Sequence, residues 1–303
     1  MHIFYNDQYV APTYAFETTR KSKLIAEQIG LDKLTDPSLG VAHAIEEISL
    51  VHDIEYIESL QSGTPNYLAE SNNFKWDSGI WSMAINSTAG ILAACETAYR
   101  GIDKLTLPSI ISGSLSSGLH HAHTKGGAGF CTVNGLAVAA NAFDSLRIAI
   151  LDFDAHCGGG TVEILRTLGI DNRVYQYDIS TNMYDRYEQD DNHLILMADT
   201  DEEYLQDVNM LLEFIINWDE TDLILYNAGV DAYPEISHNT LAHRDELVFN
   251  KCVSTTTPCV FALAGGYTEH QDMNSLIDSH MQTIHAAQNA EIRPPKGKVE
   301  LQA

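Results

Sequence analysis

One segment constrains this chain more than any other. The apolar run Ile148-Ala149-Ile150-Leu151 leads straight into Asp152-Phe153-Asp154-Ala155-His156, then Cys157-Gly158-Gly159-Gly160-Thr161. Four apolar residues with no polar face predict a strand buried on both sides. In extended chain, residues two apart point the same way, so Asp152, Asp154 and His156 project together from the strand end. Turn glycines and an N-cap at Thr161 explain how the segment ends. They do not explain two carboxylates and an imidazole on one side of a strand tip, where uncompensated burial is costly. A metal-binding or acid–base role does.

Five further strand-length runs punctuate the sequence: Ile3–Tyr5, Ser109–Ser112, Arg173–Tyr177, Asp222–Tyr226 and Pro258–Leu263. Between them, apolar residues three and four apart predict helices over Trp81–Tyr99, Val133–Phe143, Val162–Leu168, Glu203–Ile216, Arg244–Cys252 and Asn274–Ala287. Strands alternating with helices predict an α/β fold, a parallel sheet with helices on both faces. At 303 residues the chain suits a single large domain, here residues 1–291. Residues 292–303, with Pro294, Pro295 and Lys296, read as an irregular tail or oligomer arm. No repeat or low-complexity linker is visible.

The formal net charge is −25. That argues against nucleic-acid and anionic-membrane partners, and favours cationic ligands. Cys95, Cys131, Cys157, Cys252 and Cys259 are scattered and form no CxxC pair. With no leader-like start and no spanning run, they predict reduced thiols in a cytoplasmic protein.

Ligands of such sheets bind beyond the carboxyl ends of the strands. A second apolar run, Leu223–Tyr226, leads through Asn227-Ala228-Gly229-Val230 to Asp231. Two carboxylates and one imidazole would leave a divalent cation an open position, the pattern of a catalytic rather than a structural site. Zinc, ferrous iron and manganese all suit that donor set. Gly118-Leu119-His120-His121-Ala122-His123, followed by Gly126-Gly127-Ala128-Gly129-Phe130-Cys131, places adjacent imidazoles in a glycine-rich loop. They could act as acid–base groups or as further ligands. Gly265-Gly266-Tyr267 after the last strand run could present a phenol to a pocket.

In their order along the chain, these stretches together resemble the histone deacetylase superfamily, over roughly residues 1–276. Val51-His52-Asp53-Ile54-Glu55-Tyr56-Ile57 looks like the family's early helix. Tyr226–Gly229, Glu202–Leu205 and Arg244–Phe249 look closest to the class IV branch. The resemblance implies an arginase–deacetylase fold with a central parallel sheet of about eight strands. It implies metal ligation by Asp154, His156 and Asp231. Its catalytic groups would be His120 backed by Asp152, His121 as proton shuttle, and Tyr267 polarising the carbonyl. Phe130, with Gly129 and Gly266, would form the acyl-lysine channel, and Asp77 is the nearest match to a substrate-binding rim acid. A structural potassium site would use Asp152, Asp154, His156, Asp178 and Ile179. Two departures stand out. Cys157 replaces the residue usual after the metal-binding histidine. Gly159 replaces the Asn or Asp that often supports the second histidine, so support for His121 must come from elsewhere or be absent.

The function so implied is zinc-dependent hydrolysis of an amide, with ferrous iron as the other candidate metal. The substrate would be acyl-lysine in a protein, an acylated polyamine or another small amide. Two readings keep the fold and change the chemistry: a ureohydrolase with two metals, and a non-catalytic module that binds acyl ligands. A homo-oligomer is compatible with the sequence.

Overall fold

The computed structural model describes residues 1–13, 17–100 and 109–292. Seven strands occur among them: β1 (His2–Phe4), β2 (Ile111–Ser114), β3 (Ile148–Asp152), β4 (Val174–Ser180), β5 (His193–Met197), β6 (Leu223–Gly229) and β7 (Cys259–Ala264). They form one sheet in the order β1-β2-β7-β6-β3-β4-β5, and every pairing is parallel. Seven strands among the described residues accord with the sheet of about eight that the resemblance implies. The tail segment 293–303 lies outside the described residues.

The apolar runs follow from burial on both faces. On β3, Ala149 and Leu151 join one core layer, while Ile148 and Ile150 join the other. Tyr226 and Leu225 of β6 divide in the same way. The first layer packs against α1 (Glu17–Ile29), α8 (Asp201–Met210), α9 (His238–Thr255) and α10 (Met273–Ile292). The second packs against α2 (Val41–Val51), α3 (Ile54–Ser62), α5 (Gly79–Arg100), α6 (Gly135–Ala142) and α7 (Gly159–Leu168). The remaining short helix, α4, is Asn66–Ala69.

Several expectations need correction. Val51–Ile57 is not one helix. His52 is extended, and Asp53 caps α3 by accepting the Glu55 N–H. Glu203–Ile216 begins as α8 but widens into a π-turn over Leu211–Ile215. Thr161 is not an N-cap. It lies in the first turn of α7, with its hydroxyl donating to the His120 carbonyl at 3.3 Å. Strand β5 and helices α1, α2 and α4 lie outside the segments the sequence pattern marks.

The topology fixes where a site can form. From β3 the chain winds outward through β4 and β5, then returns to the other side of β3 as β6. The strand order therefore reverses between β3 and β6, opening a crevice at their carboxyl ends. Asp154 and His156 follow one of these strands, and Asp231 follows the other.

Candidate active site

Asp154, His156 and Asp231 converge at that crevice. His156 Nδ1 lies 3.2 Å from Asp154 Oδ1 and 3.2 Å from Asp231 Oδ2. One donor atom from each residue falls within 4.8 Å of the others. Backbone donors fix both acids: the His156 N–H donates to Asp154 Oδ1 and the Ala155 N–H to Asp231 Oδ1, each at 3.0 Å. Asp231 Oδ2 is buried without an aligned hydrogen bond. A buried carboxylate oxygen without a well-aligned donor is expensive unless a cation meets it. The donor set and this orphaned oxygen therefore fit a divalent metal ion. A Cβ at Gly265 would overlap the Asp231 carboxylate, so glycine there leaves the acid its place.

Behind these groups stand the two adjacent histidines, with ring centroids 3.9 Å apart. His120 Nδ1 is 2.7 Å from Asp152 Oδ2, and Asp152 Oδ1 accepts from Asn227 Nδ2 at 2.7 Å. His121 Nδ1 is 2.8 Å from Asp185 Oδ2. Their electrostatics diverge. Burial opposes charge on His120, but Asp152 and Asp154 outweigh it and raise the imidazole to about 10. His121 is lowered to about 4, first by burial and then by the charge on His120. The two imidazoles are thus driven apart, His120 towards the cation and His121 towards the neutral base, the separation expected of groups with opposite proton-transfer roles.

The pocket occupies about 610 Å³, counting its open mouth, and is walled by Phe130, Met83, Leu119 and Tyr267. Phe130 faces Tyr267 at a centroid distance of 6.4 Å, and Phe74 backs Phe130 at 5.4 Å. The phenol of Tyr267 is pushed up by burial and then by the charges of Asp231 and Asp154, so it stays protonated as a donor. Gly129 lines the pocket in left-handed backbone at φ 49°. Gly265, rather than Gly266, lines it as well; the space beside Gly266 is filled by Leu276 and Val230. Asp77 is not among the lining residues. It accepts the Gly79 N–H at 2.7 Å and the Thr13 hydroxyl, and so caps α5.

Asp178 pairs in register with Asp152, and both are fully buried. Burial, then the charge of Asp152, raises the Asp178 carboxyl well above its usual range. On the same strand the buried Gln176 Oε1 and Ser180 Oγ have no hydrogen-bond partner. The oxygen-rich surroundings fit a cation here too. Cys131 and Cys157 are buried free thiols raised chiefly by burial, Cys157 to about 12, which makes them poor nucleophiles.

Sequence reasoning missed four contributors. Asn227 anchors Asp152. Asp185 meets His121 Nδ1. Tyr184 stands edge-on to His121 at 4.9 Å and to His156 at 5.9 Å. Lys21 is buried and donates to the Gly265 carbonyl; burial lowers it to about 7 against the pull of Asp231 and Asp154. Only Asn227 carried a local signal, as a polar residue inside an apolar strand end.

Residues 15–284 match the family description "Histone deacetylase domain". The chain is 26% identical over 257 residues to an uncharacterized protein of Picosynechococcus, covering 80% of this chain and 81% of that one. It is 32% identical over 171 residues to Histone deacetylase 2 of Arabidopsis thaliana, covering 51% of this chain and 43% of that one. The crystal structure of an acetylpolyamine aminohydrolase from Burkholderia pseudomallei superposes with a TM-score of 0.72 at 19% identity, covering 96% of this chain and 99% of that one. With the family description matching most of its length, this chain belongs to the histone deacetylase family.

Proposed function

We propose that this protein is a zinc-dependent deacylase that hydrolyses the amide of an acylated amine, either acyl-lysine in a protein or an acylated polyamine. Ferrous iron is the other candidate metal. The observation that carries the reading is the convergence of Asp154, His156 and Asp231, with its orphaned carboxylate oxygen, beside the unequal histidine pair. The family supports deacetylase chemistry. The fold shared with an acetylpolyamine aminohydrolase suits the small-amine substrate.

A divalent ion held by Asp154, His156 and Asp231 supplies Lewis acidity and an acidified water. The chain's own residues do the rest. Neutral His121 takes the proton of the attacking water and returns it to the leaving amine. His120, cationic against Asp152, stabilises negative charge as it develops. The Tyr267 hydroxyl donates to the carbonyl oxygen as it becomes an oxyanion. Phe130 and Tyr184 flank the aliphatic stem of the substrate and exclude water. Asp152, Asp154 and Asp178, with the backbone at His156 and Ile179, would hold a structural potassium ion.

A second three-atom cluster, His120–His121–Asp154, is the feature a two-metal ureohydrolase would need. It shares Asp154 with the first cluster and engages one nitrogen of each histidine with a carboxylate. One transition ion per chain is therefore expected. The test is acetate release from N-acetylated polyamine and acetyl-lysine peptide before and after chelation, with metal content measured. Activity should vanish on chelation and return with Zn2+. Chelator-resistant turnover, or two tightly held ions per chain, would overturn the reading.

A further inference from the structure

Gly159 offers His121 no side chain, and the structure supplies an acid by another route. Asp185 lies in the loop after β4, in left-handed backbone at φ 57°. Besides meeting His121 Nδ1 at 2.8 Å, its Oδ2 accepts the Gly160 N–H at 3.0 Å. Its Oδ1 lies 3.3 Å from Nε2 of His123. His123 faces outward, its side chain 37% exposed, with Nδ1 3.8 Å from Glu163. The carboxylate thus spans a buried imidazole and a solvent-facing one.

Space makes Gly159 and Asp185 interdependent. A Cβ on residue 159 would overlap the Asp185 backbone oxygen and come within 2.6 Å of its Oδ1. The loop can deliver its acid only because residue 159 is glycine.

We propose that Asp185 is the positioning residue of His121, delivered through the gap that Gly159 leaves and steadied from the solvent side by His123. The carboxylate accepts the Nδ1 proton, leaving Nε2 unprotonated toward the pocket. This deepens the deacylase reading and rests on it.

The experiment compares wild type with Asp185→Ala, Asp185→Asn and Gly159→Ala in the metal-loaded enzyme. Loss of a residue that orients a catalytic group typically costs about 10–100-fold. Asp185→Ala should lower kcat by about that factor, with KM within about twofold. The acidic limb of its pH profile should move down, because the imidazolium of His121 loses a stabilising charge. Asp185→Asn keeps the acceptor and tolerates the left-handed backbone, so it should recover part of the loss. Gly159→Ala should mimic Asp185→Ala. Imidazole 1H–15N NMR gives a readout independent of turnover: the Nδ1–H resonance assigned by His121→Gln should be lost in Asp185→Ala. Unchanged kcat, or an unchanged Nδ1–H resonance, overturns the assignment. Should wild type itself release no acetate, the deacylase reading fails, while the NMR comparison still decides the role of Asp185.

Discussion

Two neighbouring histidines, equally buried, are pulled in opposite directions because the charges around them differ. His120 is pressed against Asp152 and Asp154, whereas His121 has burial and a cationic neighbour against it. Tyr267 completes the chemistry as a buried donor. Its replacement by Phe should lower kcat about 10²–10³-fold while sparing zinc content, since single oxyanion donors are typically worth that much. Wild-type kcat in Tyr267→Phe would remove it from the mechanism. A third histidine contributes to the pH dependence of stability instead. His52 donates from Nδ1 to the His123 carbonyl and accepts the Asn134 N–H at Nε2, in full burial. Burial lowers it to about 4, from the roughly 6.5 of a free imidazole. Between those values the unfolded chain binds more protons, so this contribution is complete above about pH 6.5 and fades as pH falls towards 4. It amounts to about 3 kcal/mol. Urea denaturation of wild type and His52→Gln across that range should show a shallower pH slope in the variant. Identical slopes would assign the acid sensitivity to other groups.

At the scale of elements, α9 holds the two strand tips that carry the acids. Arg244 is fully buried and donates to the carbonyls of Phe153 at 3.1 Å and Gly229 at 2.6 Å, just before Asp154 and Val230-Asp231. Asp245 balances its charge, with Oδ1 2.9 Å from the guanidinium, and also accepts the hydroxyls of Tyr226 and Thr283. Removing one partner of such a buried pair typically costs about 3–5 kcal/mol. Arg244→Met should show a loss of that size by urea denaturation, together with weaker zinc retention. A loss below about 1 kcal/mol, typical of exposed pairs, would mean that the strand tips hold themselves. The segments Glu202–Leu205 and Arg244–Phe249, read from the sequence as class IV-like, meet here, where Arg244 donates to the Tyr204 hydroxyl at 3.2 Å. Central strands were legible because burial on both faces removes all polar alternation. Strand β5 was not, because it is a half-exposed edge that opens with a histidine. Helix α1 was missed because its sequence, ETTRKSKLIAEQI, is mostly polar, although Ile25 and Ala26 are fully buried. The supposed helix at Val51–Ile57 hides a break, since a buried extended His52 looks like any other helical residue in a local pattern.

For the molecule as a whole, charge bears on which substrates arrive. The net charge of −25 is joined by Glu235 and Glu269 at the outer mouth, where His156 and Tyr267 are also reached. Such a field raises the encounter rate of cations and is screened by salt. Raising ionic strength from about 0.05 to about 0.5 M should lower kcat/KM several-fold for an N-acetylated polyamine, and little for an uncharged acyl amide. Equal salt response for both would remove electrostatic steering from the account. Among the described residues no helix is long and apolar enough to cross a membrane.

The spacing of Asp152, Asp154 and His156, and the placing of Asp231 after a second buried strand, are written in the chain itself, because strand period and strand ends are local properties. What lies beside those groups is not local. The sequence left His121 without an acid at Gly159, and only the packing of the loop after β4 brought Asp185 to it. Likewise, the unlike charges of His120 and His121, the turning of Gly266 away from the pocket and the capping role of Asp77 depend on which distant groups share a desolvated space. A one-dimensional pattern carries the direction in which a side chain points; folding decides what it meets there.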